Sequence, residues 1–177
     1  MEEFRHHHRE IYFDLTFKYL DILEEVKKVS SYMAKSRVDK DGKNLLDLAN
    51  VTTGDNVLIR SFIKKSESDI FDGIAGYMKS DEEYVYFDGY RENLNPHENV
   101  PIVFHFAVPE SFNFYNKKYI YQLIIWAFVD SIISQWLLIV YPQEAAIYQN
   151  KFNTGMSEII GKLNTRTNVI IRRPSWL

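Results

Sequence analysis

Three consecutive histidines, His6, His7 and His8, form the densest run of metal-ligand side chains in the sequence. Three adjacent side chains cannot all face one ion on a helix or a strand, because metal ligands need spacings that bring them together. No carboxylate follows the run at a metal-site spacing. We interpret the run as a solvated N-terminus or the remnant of a tag, and we predict no metal site and no cofactor.

The other side chains that could transfer protons are scattered along the chain. His97 falls in a turn-rich segment and His105 in a predicted strand, and neither has a partner nearby in the sequence. The acidic runs 24–25 and 81–83 are typical of solvated surfaces. Phosphate-binding and nucleophile motifs are absent from the sequence, and the lack of cysteine excludes thiolate chemistry. We predict that the protein is not an enzyme; a small enzyme with an unrecognised carboxylate or histidine site is an alternative.

The end of the chain, residues 166–177, combines residue types of an extended segment with those of an interface. Its last nine residues, VIIRRPSWL at 169–177, cannot remain helical at the proline, and Arg and Trp are enriched where proteins dock on partners. The predicted partner-binding residues of this C-terminal arm are Val169, Ile170, Ile171, Arg172, Arg173, Pro174 and Trp176. Phosphate binding by the arginines is the alternative, but proteins that bind duplex by charge are usually basic, and this chain has a net charge of −3.

Composition favours one domain that covers residues 1–177. Hydrophobic residues make up 46% and charged residues 25%, which are globular values, while aromatic residues reach 15% and offer area for contacts between subunits. The N-terminus has no apolar run of the signal-peptide type, so we expect a cytoplasmic origin. Residues 1–90 hold 13 basic and 18 acidic side chains, whereas residues 91–177 hold 8 and 6. Such a division suits contacts between unlike surfaces.

Hydrophobic periodicity predicts a mainly α fold with a β-hairpin insert, of the α+β class. An extended N-terminal segment, residues 1–17, contains a strand at 11–17. The predicted helices are 18–36, 55–78 with a cap at Thr52 and Asp55, 119–141 after an N-cap at Asn116, and 143–164 after Pro142. The hairpin insert, 82–112, consists of strands 82–90 and 100–112; its second strand is predicted to be an edge strand or limited to 102–108, because of the prolines at 101 and 109.

The segment 119–141 is long and apolar enough to cross a bilayer. Its polar residues Asp130, Ser131, Ser134 and Gln135 share an arc of about 140° on a helix. Lipid would surround every face, and a carboxylate near the middle would be costly there. We therefore predict a central helix that several neighbours bury, with its polar stripe meeting solvent, a lumen or polar partners. A single-span membrane-associated protein is the alternative.

Three segments resemble the head-to-tail connector proteins of tailed bacteriophages, particularly versions from phages of Bacteroides-type hosts. They are the pattern D-N-x-L-I-x-x-F-I-x-x-S at Asp55–Ser66, the sequence D-S-I-I-S-Q-W at residues 130–136, and I-I-R-R-P-S at residues 170–175. The hairpin insert and the long N-terminal segment depart from the usual small connectors, so the particular ring of the neck is left open.

The resemblance implies a helical bundle of the connector type that assembles in the host cytoplasm and becomes part of the virion. Connectors form ring-shaped homo-oligomers, typically of about twelve copies, beneath the portal, and heterologous contacts can close such rings. The resemblance further implies that the arm binds the portal or other neck and tail proteins, and that genomic DNA passes through the lumen without sequence-specific binding. It also implies a protein without catalytic activity and without contact to a membrane.

Overall fold

The computed structural model describes residues 10–36, 47–79 and 101–167 of the 177. Within them the fold is 74% helical with one two-stranded antiparallel sheet, so the α+β class is confirmed. The order of elements is β1 (Glu10–Lys18), α1 (Tyr19–Ser36), α2 (Asn56–Ile74), β2 (Pro101–Pro109), α3 (Asn116–Val140) and α4 (Pro142–Asn164). Short 3₁₀ turns lie at Asp47–Ala49, Thr53–Asp55 and Ala75–Tyr77.

The sheet pairs β1 with β2 from Glu10 opposite Pro109 to Lys18 opposite Pro101. Both strands alternate buried and more exposed positions, as their period-two patterns predict. The sequence predicted residues 82–90 as the partner of β2. Those residues lie outside the described part of the chain, and the partner that the structure shows is β1. Local periodicity identified both strands but carries no information about a partner about ninety residues away.

The two prolines of β2 are its terminal residues, where a missing N–H interrupts no interior ladder. The edge of β2 that faces away from β1 is also contacted: Met78 forms an antiparallel bridge with Phe106, and the Lys79 N–H donates to the His105 carbonyl at 2.9 Å. At these positions the edge of β2 is covered, and the strand extends one residue beyond the predicted limits of 102–108 at each end.

The start of α2 has the cap that the sequence predicted. The carboxylate of Asp55 accepts hydrogen bonds from the N–H and the hydroxyl of Thr52, both at 2.7 Å. One 3₁₀ turn separates this cap from α2, and the α-helix ends at Ile74 rather than at 78, with a final 3₁₀ turn. Gly73 lies next to Met156 of α4, whose terminal methyl group would have to move to make room for a side chain at residue 73.

Helices α3 and α4 form the predicted antiparallel pair, joined by Tyr141 alone. Pro142 occupies the first position of α4, where no N–H is needed. The buried stripe of α4 is Ala145, Phe152, Met156, Ile159 and Leu163, as its helical spacing predicts. α3 packs against α1, α2 and α4, so it is the central element of the helical layer.

The sheet covers one side of α3 through aromatic contacts. The rings of Phe17 and Tyr121 stack with centroids 4.7 Å apart, and Phe128 packs against Phe17 and Phe104 at 6.2 and 6.3 Å. Such pairs contribute about 0.5–1.5 kcal/mol beyond the area that they bury. The 25 residues of α3 form an axis about 37 Å long, and other elements reach both of its ends.

Candidate functional site

The predicted partner-binding residues of the C-terminal arm, 169–174 and 176, lie outside the described residues, which end at Thr167. The structure does show where this segment starts. Arg166 forms an antiparallel bridge with Phe112, and the N–H and hydroxyl of Thr167 donate to the Ser111 carbonyl at 2.8 and 2.9 Å. The chain therefore enters the arm beside the turn that follows β2, near the first turn of α3.

His105 lies on β2 directly opposite Asp14 on β1, with Nδ1 of the ring 2.8 Å from a carboxylate oxygen. Such a cross-strand pair contributes to the stability of the sheet. This geometry agrees with the interpretation of His105 as a satisfied strand residue. The run His6–His8 lies outside the described residues; within residues 10–36, 47–79 and 101–167, no group of three or more histidine or acidic side chains is placed to hold a metal ion.

A polar seam crosses the middle of the helical layer. The hydroxyl groups of Ser66 on α2 and Ser131 on α3 are buried and lie 2.8 Å apart, and the side-chain amide of Gln135 donates to Ser66 at 3.2 Å. Towards α4, the hydroxyl of Ser134 donates to the side-chain oxygen of Gln149 at 3.3 Å. Of the three surroundings predicted for the polar stripe of α3, the structure shows polar partners for these side chains, and the partners belong to neighbouring helices.

Asp130 is the charged member of that stripe and lies partly buried near the middle of α3. Burial raises the pKa of its carboxyl group from 3.8 to about 6, and the nearby ammonium of Lys151 on α4 opposes part of this rise. The Lys151 ammonium also lies over the ring of Tyr148, 4.3 Å from its centroid. The carboxyl group of Asp130 therefore changes its charge about two pH units above its reference pKa of 3.8.

α3 is the single helix of the described residues that is long and apolar enough to span a membrane. Its middle is enclosed by protein: Phe128, Val129, Ile132 and Ile133 are fully buried between the sheet and the other helices. A core helix meets the same length and composition criteria as a membrane span. In this fold these four apolar side chains pack within the domain, whereas Trp126, Leu138 and Ile139 of the same helix are exposed.

The first turn of α3 and the last turn of α4 together form a surface rich in rings and positive charge. We call it the cationic end; it consists of Phe114, Tyr115, Lys117, Lys118, Tyr119, Lys162 and Arg166. The two helix termini are joined there, because the Asn116 side-chain amide donates to the Lys162 carbonyl at 3.2 Å. The Lys162 ammonium lies 5.6 Å from the ring centre of Tyr119, so cations and rings share one surface.

The opposite end of α3 exposes aliphatic side chains. We call it the aliphatic end; it consists of Leu48, Val57, Leu58, Leu138, Ile139 and Ile147, all exposed. The indole N–H of Trp136 donates to the Ala49 carbonyl at 2.9 Å and brings the 47–49 turn to this end. The first turn of α2 also lies here, because α2 runs antiparallel to α3, with Ser66 beside Ser131 and Gly73 beside Met156.

Neither end was predicted from the sequence. For the cationic end a local signal was present: FNFYNKKY, residues 112–119, alternates aromatic residues with polar ones and ends in a lysine pair and a tyrosine. Lys162 and Arg166, by contrast, reach this surface only because α4 returns antiparallel to α3. For the aliphatic end the signal is weaker, because scattered exposed aliphatic residues are common on protein surfaces.

Comparisons with protein families, with curated proteins and with solved structures give no match. The function of the two ends is therefore inferred from their own geometry and chemistry.

Proposed function

We propose that the protein is a structural subunit of the head-to-tail connector of a tailed bacteriophage, with a helical bundle of the connector type. Copies form a ring of about twelve beneath the portal, around the channel through which the genome passes. The subunit has no catalytic role and belongs to the virion. The observation that carries the proposal is the unlike chemistry at the two ends of one rigid helix.

Unlike ends favour contacts between different surfaces of neighbouring molecules. A surface that pairs with a different surface on the next copy produces a heterologous contact, and such contacts form a ring when the rotation between copies closes. Exposure of the aliphatic end to water is unfavourable, by about 25 cal/mol for each Å² of apolar area. Contact with a neighbouring subunit or with the portal removes this area from water and is therefore favourable.

The start of the arm supports a docking role for residues 169–176. Because Arg166 and Thr167 are held to Phe112 and Ser111, the chain enters the arm from a fixed point on the domain surface. An arm anchored in this way reaches a neighbour or the portal without any rearrangement of the helices. Its β-branched residues, arginines and tryptophan are suited to adding a strand and filling pockets on that partner.

The proposal is tested by fractionating a lysate of cells that produce the protein in its native context on a density gradient. We expect the full chain to band with DNA-filled particles at about twelve copies per particle, by quantitative mass spectrometry. A variant that lacks residues 169–177 should have an unchanged circular dichroism spectrum and melting temperature but should be missing from the particles.

Two outcomes of this fractionation contradict the proposal. Normal particles that contain the shortened variant would show that the arm is not needed for assembly. Flotation of the full chain with membranes would assign α3 to lipid, which is the single-span alternative.

A further inference from the structure

The cationic end gathers four positive charges without neutralising them. None of Lys117, Lys118, Lys162 and Arg166 forms an ion pair with a carboxylate in the part of the chain that the structure describes. The acidic residues nearest to them in sequence, Glu110 and Glu158, are not paired with them either. Within this domain, like charges at one surface raise the free energy of the fold, and an anionic ligand would lower it.

The position of the two lysines of α3 adds to this cost. Lys117 and Lys118 lie in the first turn of a helix, where the exposed N–H groups already give a positive potential and where acidic residues are normally favoured. No acidic residue occupies that turn. Lys162 and Arg166 differ, because they lie at the C-terminus of α4, where cations are favourable, and Arg166 donates to the Leu163 carbonyl at 2.8 Å.

Three aromatic rings of the same surface are exposed to solvent. Tyr115 is 87% exposed, Tyr119 is 62% exposed and Phe114 is 45% exposed. Phe114 is held edge-on against Phe13 and Phe112, with centroids 6.0 and 5.4 Å away, so its free face has a fixed orientation. Exposed rings beside cations that have no carboxylate partner are the combination by which proteins bind bases and phosphates together.

We propose that the cationic end binds single-stranded nucleic acid, with its phosphates near the four cations and its bases stacked on Tyr115, Tyr119 and Phe114. A duplex keeps its bases stacked on each other and would leave these rings unused. An acidic protein segment is a poorer fit, because lysine is depleted at protein–protein interfaces, and three of the four cations here are lysines. This proposal does not rest on the neck-ring function, which involves duplex DNA in a channel.

The binding is tested by fluorescence anisotropy of the full chain with a labelled oligothymidine of about 20 nucleotides. Between about 50 and 200 mM salt, four phosphate contacts give a slope of log K against log salt of about −3. Lys117→Gln with Lys118→Gln should halve that slope. Tyr115→Ser should weaken binding by about tenfold at constant slope, because it removes a stacking surface and no charge.

Matched controls lie on other helices. Lys64→Gln with Lys65→Gln removes the same charge from two exposed lysines of α2, and Tyr32→Ser removes an exposed tyrosine of α1. Both control variants should bind as the unchanged chain does. Equal losses in the controls would overturn the assignment to the cationic end.

Two competitors separate the remaining explanations. A duplex of the same length that competes as well as the single strand, with Tyr115→Ser without effect, would reduce the surface to a phosphate contact and overturn the stacking proposal. Polyglutamate that competes equally well would assign the surface to an acidic protein partner. Absence of binding at the lower salt concentration would also overturn the proposal, and it would leave the particle-fractionation test unaffected.

Discussion

The two ends of α3 belong to one helix but expose different side chains. At the first turn the exposed residues are aromatic or cationic, as with Tyr115 and Lys118, whereas at the last turn they are aliphatic, as with Leu138 and Ile139. Between them one side of the helix packs inside the domain, with Phe128 and Ile132 fully buried. The middle of α3 thus serves the stability of the domain, and the two ends are left for contacts of two different chemical kinds.

The difference predicts what each end can bind. Aliphatic side chains gain free energy by leaving water, so the aliphatic end favours a dry contact with another protein surface. Cations and ring faces gain from anions and from flat π systems, so the cationic end favours a charged and partly hydrated ligand. A change in salt concentration should therefore affect contacts of the cationic end much more than those of the aliphatic end.

The largest expected effect concerns the aliphatic end. Leu138→Glu with Ile139→Glu should weaken assembly of the protein by at least about 100-fold, because two carboxylates replace apolar side chains in a desolvated contact. The melting temperature of the isolated chain should change little, since both side chains are exposed. Sedimentation velocity over a concentration series measures the assembly, and circular dichroism measures the melting temperature.

The matched control for this prediction adds the same two charges elsewhere. Ser68→Glu with Ser157→Glu places two carboxylates at exposed positions of α2 and α4, away from the aliphatic end, and should leave assembly intact. If the aliphatic-end variant assembled normally, the aliphatic end would not be an interface. The prediction that it contacts another protein surface would then be wrong.

A smaller effect is expected where the 47–49 turn is tied to α3. Trp136→Phe removes the indole N–H that the Ala49 carbonyl accepts, and Ala49 is fully buried. We expect a loss of about 1–2 kcal/mol in the free energy of unfolding, because a buried carbonyl is left without its partner. Urea denaturation followed by circular dichroism measures this loss, since the variant changes the fluorescence.

Amide exchange shows at which end of α3 the Trp136→Phe variant is destabilised. Amide exchange at Val51, whose N–H donates to Ser30 at 3.0 Å, should become faster in Trp136→Phe, while amides of the first turns of α3 should be unaffected. Trp126→Phe is the control, because Trp126 is an exposed indole of the same helix and should change the stability by less than about 0.5 kcal/mol. Faster exchange throughout the chain would mean that the aliphatic end is not a local unit.

The charge in the middle of α3 gives a pH-dependent prediction. The pKa of Asp130 is about 6 in the fold and 3.8 as the reference value, so the folded chain holds a proton that the unfolded chain has released between these values. The contribution of Asp130 to stability is therefore greatest below pH 3.8 and falls as the pH rises from 3.8 to about 6. The shift corresponds to at most about 3 kcal/mol, and partial exposure to solvent reduces this to about 1 kcal/mol.

Asp130→Asn should remove that dependence. We expect the variant to be more stable than the unchanged chain by about 1 kcal/mol at neutral pH and equally stable below the reference pKa, from urea denaturation at both pH values. Lys151→Gln is informative as a second variant. Removing this cation should raise the pKa of Asp130 further, so the free energy of unfolding should decrease by a larger amount between acidic and neutral pH. A constant difference between Asp130→Asn and the unchanged chain at both pH values would contradict the raised pKa.

The sequence predicted the elements well where each one carried a local signal. The helix predicted at 18–36 is observed as Tyr19–Ser36, and the one predicted at 143–164 as Pro142–Asn164, because amphipathic spacing and the proline mark their limits. The pairing of β1 with β2 was not predicted, because alternation identifies a strand without its partner. Each end consists of residues from different elements. The presence of Lys118 and Lys162 at one surface therefore follows only from the tertiary structure.

The smallest effect tests whether the cationic end costs stability in the free protein. Lys118→Glu places an acidic group in the first turn of α3, where it interacts favourably with the helix dipole, and should stabilise the fold by about 0.5 kcal/mol. Lys117→Glu should give almost no gain, because the Lys117 ammonium lies 5.2 Å from the ring centre of Phe13, and losing this contact costs about as much. Urea denaturation at low salt resolves the two variants best, because salt screens the dipole term. A loss of stability in Lys118→Glu would mean that the lysine is placed there for the fold; a gain would mean that the cationic end keeps its charge at the expense of stability, as expected of a surface that serves a ligand.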